Sequence, residues 1–258
     1  MIGLLLLAAF GAGVVDAIAG GGGLITVPAL LAVGMDPRAA LATNKGQAVF
    51  GSSASFFRFL RHRQVDRGRA PWSFVAAAVG SVLGARLVLA LDPAVLRPLV
   101  LVLLVVASAL AFVRRPEAGG RAWWVERAPR LAALAVALLL GAYDGFFGPG
   151  TGTFLLLAYA YAFGDDLVSA SGNAKVANFA SNLASFAAFA ASGAIRWEVA
   201  LPMGAAQVTG AWVGTELAVK RGAGLVRGVA VAISLALAAR ILWQMSGADS
   251  RLFPKERS

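Results

Sequence analysis

Two short polar motifs interrupt apolar stretches of the sequence and contain its most chemically capable side chains. The first reads Thr43-Asn44-Lys45-Gly46-Gln47, and the second, Gly172-Asn173-Ala174-Lys175, is followed by Asn178 and Asn182. In each motif the polar side chains recur every three or four residues, so they share one face of a helix. Carboxamides and lysine ammonium groups donate hydrogen bonds to oxyanions, which predicts that this face binds an anion inside the protein.

A glycine-rich tract precedes each polar motif. The tracts are Gly20-Gly21-Gly22-Gly23 and Gly148-Pro149-Gly150-Thr151. Glycine permits tight turns and lets a ligand approach backbone N–H groups closely. The tracts therefore predict breaks in helices whose backbone donors contact the substrate. A packing turn without ligand contact is the alternative.

Two acidic residues stand just before the glycine tracts, within apolar surroundings. These are Asp16 and Asp144. A charge inside a membrane needs a counterion or a water-filled cavity, so we interpret them as counter-charges for Lys45 and Lys175 or as carriers of a coupled proton. Alternatively, the two lysines lie near helix ends and extend their ammonium groups to the membrane interface.

A second pair of opposite charges follows two matching glycine pairs. Arg86 comes after Gly80 and Gly84, whereas Glu216 comes after Gly210 and Gly214. Small residues four positions apart permit close helix contact, and intramembrane charges usually pair. We predict a structural ion pair between Arg86 and Glu216.

The composition excludes several classes of protein. Of the 258 residues, 59% are hydrophobic and 14% are charged, whereas about 25% are charged in soluble domains. The absence of cysteine excludes disulfides and thiolate metal sites, and the single histidine, His62, argues against histidine metal sites and a Ser-His-Asp enzyme. We therefore expect a membrane protein with no enzymatic activity, cofactor or metal.

Eight apolar runs approach the length of about 20 residues that crosses a bilayer. They cover residues 2–33, 39–60, 72–91, 94–113, 131–163, 170–191, 198–219 and 224–245. A glycine tract breaks the first and fifth runs. The first run lacks the basic start and the cleavage site of a secretory signal, so we expect it to be retained.

Basic residues concentrate in two connections and at the C-terminus. Arg58, Arg61, Arg63, Arg67 and Arg69 cluster near the first connection, and Arg114, Arg115, Arg121, Arg127 and Arg130 cluster near the second. Two apolar runs separate these connections, so both face one side, which the positive-inside rule makes cytoplasmic. Loop placement thus explains the net charge of +10 without nucleic-acid binding.

The sequence also contains an internal duplication, with residues 11–113 matching residues 141–243 at an offset of 128 to 130. We therefore divide the chain into a first transmembrane repeat at 1–113, a basic cytoplasmic linker at 114–130, a second repeat at 131–246 and a basic tail at 247–258. Duplicated halves with matching helix breaks are typical of secondary transporters. If each broken run crosses completely, the halves are parallel and both termini are cytoplasmic. If each is a re-entrant hairpin, the halves are inverted and both termini lie outside.

Several segments resemble the sulfite exporter TauE/SafE family, in particular its YfcA-like subgroup. They are GAGVVDAIAGGGGLITVPALLAVGMDP, ATNKGQAVFGSSAS, SGNAKVANFASNLASFAAF and GAIRWEVALPMGAAQVTGAWVGTELAVKRG. The resemblance extends from about residue 3 to residue 245. It implies an all-α, multi-pass permease of the inner membrane, with eight segments in two duplicated halves of four, that moves sulfite, sulfonates or similar anions.

The residues and the resemblance together predict a secondary transporter of a small, sulfur-containing anion. Its partners would be that anion and the lipid bilayer, while its direction and oligomeric state stay open. No GxxxxGK[ST] phosphate-binding loop occurs in the sequence, so a gradient or a separate partner would supply the energy. A channel-like facilitator for small anions or other metabolites is the alternative, because the same polar lining would serve it.

Overall fold

The computed structural model describes residues 2–110 and 121–245, and this part of the chain contains helices and no strand. The helices are α1 Ile2–Ala19, α2 Gly23–Ala32, α3 Pro37–Arg61, α4 Ala70–Ala90, α5 Pro93–Leu110, α6 Trp123–Arg127, α7 Pro129–Phe146, α8 Thr151–Ala162, α9 Leu167–Ala191 and α10 Trp197–Met245. The all-α prediction is confirmed. The predicted tail at 247–258 and residues 114–120 of the predicted linker, including Arg114 and Arg115, lie outside the described residues.

Local sequence accounts for where the two polar helices, α3 and α9, begin. Asp36 caps α3 by accepting a hydrogen bond from the Arg38 N–H at 2.9 Å, and Pro37 occupies the first turn. Asp166 caps α9 in the same way, accepting from the Val168 N–H at 3.0 Å. Such caps satisfy N–H groups that have no partner within the helix. The long α10 bends at Gly222, where φ is 66°.

The first broken run is a hairpin, because α2 returns alongside α1. Gly22, just after the turn, lies against Ala12 and Asp16 of α1. At the other end of α2, Leu30 packs in one cluster with Leu5 and Ala9, near the start of α1. This run therefore folds back on itself as a helical hairpin.

The second broken run, α7 and α8, also reverses direction. Near its turn the Tyr143 hydroxyl donates a hydrogen bond to the Pro149 carbonyl at 2.8 Å. At its open end the Ala162 carbonyl accepts a hydrogen bond from the N–H of Ala122, which lies shortly before α7. The two glycine tracts thus form the tips of two helical hairpins.

The polar helices α3 and α9 run antiparallel. The Asp66 N–H, just after α3, bonds to Asn173 near the start of α9, whereas the Arg196 N–H, just after α9, bonds to Thr43 near the start of α3. We name the two ends of the protein the Asp36 side and the Asp66 side. The α1–α2 hairpin opens toward the Asp36 side, and the α7–α8 hairpin opens toward the Asp66 side.

Close glycine contacts join helices that are distant in sequence. Gly210 and Gly214 of α10 lie against the backbone of α1 at Phe10 and Val14. Gly80 and Gly84 of α4 lie in the same way against Leu138 and Ala142 of α7. Without a Cβ at these positions the helix backbones approach each other closely, as the small-residue spacing predicted.

Polar residues face the interior and apolar residues cover much of the outside. In α3 and α9, Asn44, Lys45, Lys175 and Asn182 are buried, while Leu4, Leu7 and Leu139 are each about 70% exposed. Soluble proteins rarely expose such large apolar surfaces. Three described helices, α1, α4 and α7, are long and apolar enough to cross a membrane, with mean hydropathies of 2.2, 1.8 and 1.3. The helices α3 and α9 are less apolar than α1, α4 and α7 because each contains a stripe of buried polar residues.

Candidate functional site

Two buried ion pairs connect the polar helices to the hairpins. Lys45 Nζ of α3 lies 2.8 Å from Asp144 Oδ1 of α7. Lys175 Nζ of α9 lies 2.6 Å from Asp16 Oδ2 of α1. Both lysine side chains are at most 3% exposed, so neither extends to an interface. The aspartates are the counterions that the sequence predicted for the lysines, and each pair joins the first half of the chain to the second.

Further hydrogen bonds fix these charged groups in place. Lys45 Nζ donates to Asn182 Oδ1 at 3.0 Å, and the Asn182 amide donates to the Asn178 carbonyl at 2.8 Å. Ser181 donates its hydroxyl proton to Asp144. A buried ion pair is favourable only when such additional bonds offset the loss of hydration.

The tips of the two hairpins meet beside the ion pairs. Gly20 packs against the backbone of Gly152, and the Thr153 hydroxyl donates to the Ala19 carbonyl at 3.3 Å. Gly20 has a φ of 76° and Gly150 a φ of 88°, in the left-handed region that favours glycine. The tracts are therefore needed both for the turns and for the contact between them.

A small polar cavity lies between the hairpin tips and the polar helices, with a volume of about 20 Å³. This is room for about one water molecule. It is lined by Asp16, Gly21, Gly23, Asn44, Lys45, Ala48, Asp144, Gly148, Gly150, Gly152, Asn178, Asn182 and Gln207. Ten of these are predicted site residues, so most of the predicted set comes together at one place.

Asn44 lines this cavity, and the oxygen of its carboxamide is bonded within the protein. Its Oδ1 accepts hydrogen bonds from the Thr26 hydroxyl and from Gln47 Nε2, the latter at 3.1 Å. Because the amide nitrogen is the donor of a carboxamide, a ligand in the cavity would bond to Asn44 through Nδ2. Gln47 therefore positions Asn44 and is not itself among the lining residues.

Other predicted residues lie around the cavity without lining it. Gly20 and Gly22 form contacts within and between the hairpin tips. Pro149 packs against Gly23, and the Thr151 hydroxyl donates to the Gly148 carbonyl at 2.8 Å. These residues shape the two turns.

Asn173 has a different position from the one expected. Its Oδ1 accepts from the Asp66 N–H at 2.8 Å, and its Nδ2 donates to Asp165 Oδ2 at 2.7 Å. The connection between α3 and α4 folds over the start of α9 and occupies this carboxamide. Asn173 thus holds a loop on the Asp66 side and is not among the residues that line the cavity, so its contact with substrate stays a prediction.

The same loop contains a charged network. Arg69 bonds to Asp66 Oδ2 at 2.6 Å and to Asp165 Oδ1 at 2.8 Å. Burial alone would raise the pKa of Asp66, but hydrogen bonds from the Arg69 side chain and from the N–H groups of Gly68 and Arg69 hold it below its ordinary value. For Arg69, bonding to the two carboxylates outweighs burial and raises the pKa. The network fastens this connection to α9.

The predicted ion pair between Arg86 and Glu216 does not form. Arg86 is exposed on α4, whereas Glu216 bonds to Arg58 and lies 3.0 Å from His62 Nε2. The reason is packing, because the first part of α10 lies against α3, which carries Arg58, and α4 lies against α7. The matching positions of Arg86 and Glu216 in the two halves of the sequence could not reveal which helices pack together.

Sequence reasoning missed Gln207 as a lining residue. Gln207 belongs to α10, is 3% exposed, and lies within an apolar run of the sequence. A lone carboxamide in such a run was the available signal, since a buried polar group needs a partner.

The chain has clear relatives among known proteins. The family model described as sulfite exporter TauE/SafE matches residues 5–241. A protein of Haemophilus influenzae named "Probable membrane transporter protein" is 40% identical over 247 residues, covering 94% of this chain and 95% of that protein. "Probable membrane transporter protein YfcA" of Escherichia coli is 37% identical over 253 residues, covering 96% of this chain and 92% of that protein.

A third relative, "Probable membrane transporter protein ORF9" of a Sinorhizobium species, is 39% identical over 243 residues, covering 94% of this chain and 92% of that protein. No solved structure matches the chain. The family model and these relatives cover nearly all of the sequence, and the all-helical fold with an apolar exterior agrees with them. The chain therefore belongs to the sulfite exporter TauE/SafE family of membrane transporters.

Proposed function

We propose that this protein is a multi-pass secondary transporter of the cell inner membrane that carries a small sulfur-containing anion, such as sulfite or a sulfonate. The observation that carries the proposal is the pair of buried ion pairs, Lys45 with Asp144 and Lys175 with Asp16, beside the meeting point of two broken helices. Helix breaks of this kind supply binding groups in transporters. The family supports the choice of a sulfur-containing anion.

The arrangement of the helices supports two inverted repeats in the membrane. The two hairpins open toward opposite sides, and α3 is antiparallel to α9. In this proposal both basic connections lie in the cytoplasm and both termini lie outside. A site at the repeat interface can then be exposed alternately to the two sides.

The charges of the site suggest how an anion binds. Two lysines and two aspartates sum to zero, and the cavity of about 20 Å³ leaves no room for sulfite in addition to both carboxylates. An anion would therefore take the place of one aspartate beside its lysine. The released carboxylate would lie uncompensated in the interior unless it took up a proton. The aspartates then act as counter-charges in the empty site and as proton acceptors in the loaded one.

The direct test is the thermal stability of the purified protein in detergent with sulfite, thiosulfate, sulfonates, sulfate, phosphate and carboxylates. A ligand that prefers the folded protein raises its unfolding temperature by mass action. We expect one sulfur-containing anion to do so, and we expect Lys45→Ala and Lys175→Ala to weaken its binding. The exposed Arg86→Ala is the matched control and should respond as the wild type does.

Reconstituted vesicles distinguish a carrier from a channel-like facilitator. A carrier saturates and shows counterflow, in which unlabelled anion trapped inside drives the uptake of labelled anion, whereas a pore conducts at far higher unitary rates. Stabilisation by a carboxylate or by phosphate alone would contradict a sulfur-containing substrate. Unchanged affinity in both lysine variants would remove the ion pairs from the binding site.

A further inference from the structure

The carboxamide of Gln207 lies at the cavity, and its oxygen has no hydrogen-bond donor among the residues that the structure describes. The side chain is 3% exposed and lines the cavity, yet within residues 2–110 and 121–245 no group donates to its Oε1. Buried polar groups are almost always hydrogen-bonded, because leaving one unpaired destabilises the folded state. A buried carboxamide that lines the cavity with its oxygen unpaired is suited to contact a ligand there.

One glycine makes room for this side chain. A Cβ on Gly51 of α3 would lie 2.6 Å from Gln207 Cγ and 3.0 Å from its Nε2. Gly13 of α1 lies instead against the backbone of Gln207, because a Cβ there would clash with the Gln207 carbonyl oxygen. Gly51 is close to the movable side chain of Gln207 rather than to backbone, so a methyl group there would push the carboxamide aside and leave the helices in place.

The first half of the chain has no equivalent carboxamide. The offset of 130 that aligns Gly80 with Gly210 places Ala77 opposite Gln207. Ala77 packs against Gly141 of α7 as Gln207 packs against Gly13 of α1. Ala77 and Gln207 thus have matching surroundings, and only the second half of the chain has a carboxamide at this position.

We propose that Gln207 contacts the transported substrate and helps select it, and that Gly51 serves to leave space for its side chain. The inference rests on the proposed function, because it names a recognition residue of the same site. Gln207 donates from its amide nitrogen to an oxyanion oxygen, or accepts from a substrate hydroxyl or N–H group, depending on the orientation of its carboxamide. It makes the site asymmetric, so a substrate with two different ends binds in one preferred orientation.

Anion affinity in four proteins tests this proposal: the wild type, Gln207→Ala, Gly51→Ala and the double variant. A hydrogen bond to a charged ligand contributes enough that Gln207→Ala should weaken the stabilising anion by about tenfold or more. Gly51→Ala should weaken it similarly by displacing the carboxamide. The double variant should bind no worse than Gln207→Ala, since no side chain is left to displace. Independent losses that multiply, or wild-type affinity in Gln207→Ala, would overturn the proposal.

A second measurement decides the case even if no anion of the panel binds. The sequence contains no cysteine, so a single introduced cysteine can be modified with 2-sulfonatoethyl methanethiosulfonate. We expect Gln207→Cys to react like Asn178→Cys, which lines the cavity, and faster than Ser55→Cys, which is buried outside it. Reaction at position 207 without binding of any anion would contradict the proposed substrate while supporting the place of Gln207 on the transport path. No reaction at 207 while 178 reacts would overturn the inference.

Discussion

The ammonium group of Lys45 lies 2.8 Å from the carboxylate of Asp144, on the opposite half of the chain. Lys175 makes the reciprocal bond to Asp16 at 2.6 Å. In the folded protein the ion-pair partner of each lysine belongs to the other half of the chain. The site therefore exists only where the two halves meet.

The first ion pair can be tested by its effect on stability. Lys45→Met leaves Asp144 buried without a counterion and should lower the free energy of unfolding by about 3 to 5 kcal/mol. Lys45→Met combined with Asp144→Asn removes both charges and should recover most of that loss. Denaturant unfolding in detergent measures both effects. Losses that simply add in the double variant would show that the two residues are not coupled.

The contact between the hairpin tips predicts different effects for two glycines of similar backbone conformation. Gly20 and Gly34 have φ values of 76° and 84°. Gly34 has open space around its Cβ position, so Gly34→Ala should cost only the left-handed strain of about 1 to 2 kcal/mol. Gly20→Ala adds a clash with the backbone of Gly152 and Thr153 and should be much more destabilising. Equal unfolding temperatures for the two variants would contradict the tip contact.

The inverted arrangement predicts which side of the membrane each loop faces. Ala32 and Ser192 lie at the Asp36 side, and Arg67 lies at the Asp66 side; all three are exposed. In intact cells a membrane-impermeant maleimide should label Ala32→Cys and Ser192→Cys, whereas Arg67→Cys should react only after the membrane is permeabilised. Labelling of Ala32→Cys and Arg67→Cys from the same side would contradict the inverted repeats.

The loop network predicts a loss of stability in acid. Because Arg69 holds the pKa of Asp66 below its ordinary value of 3.8, the ionised carboxylate stabilises the fold above that pH. The contribution is lost as the pH falls through the lowered pKa. The difference in unfolding temperature between the wild type and Asp66→Asn should be constant above about pH 5 and shrink below pH 4. A difference that grows in acid would contradict this sign.

The partner of Glu216 gives a further prediction. Arg58→Ala and Glu216→Ala should each destabilise the protein only modestly, because the pair is partly exposed. The loss of unfolding free energy in the Arg58→Ala, Glu216→Ala double variant should be smaller than the sum of the two single losses. The losses from Arg86→Ala and Glu216→Ala should simply add. A double-mutant cycle on unfolding free energies measures both couplings. Coupling of Glu216 to Arg86 alone would favour the pair expected from sequence.

Features that depend on consecutive residues were readable from the sequence. The helix breaks at Gly20 and Gly148 follow from the backbone freedom of glycine. The need of Lys45 and Lys175 for acidic partners follows from the cost of a buried charge. These arguments require no knowledge of which helices are neighbours.

Features that depend on packing were not readable. Asn44 and Asn173 have matching places in their motifs, yet only Asn44 lines the cavity, because a loop folds over the start of α9. Likewise Gln207 becomes significant only once Gly51, far away in sequence, is seen to leave space for its side chain. Which carboxamides line the cavity therefore depends on which helices and loops pack together.

The reciprocal pairing of charges has a consequence for biosynthesis. Lys175 is 159 residues beyond Asp16, which is about 8 to 32 s of synthesis at about 5 to 20 residues per second. During this interval α1 is complete, but its aspartate lacks the lysine with which it pairs in the folded protein. A ribosome that stalls before α9 thus leaves a nascent chain whose Asp16 is without its final partner among apolar helices, a costly arrangement inside a membrane.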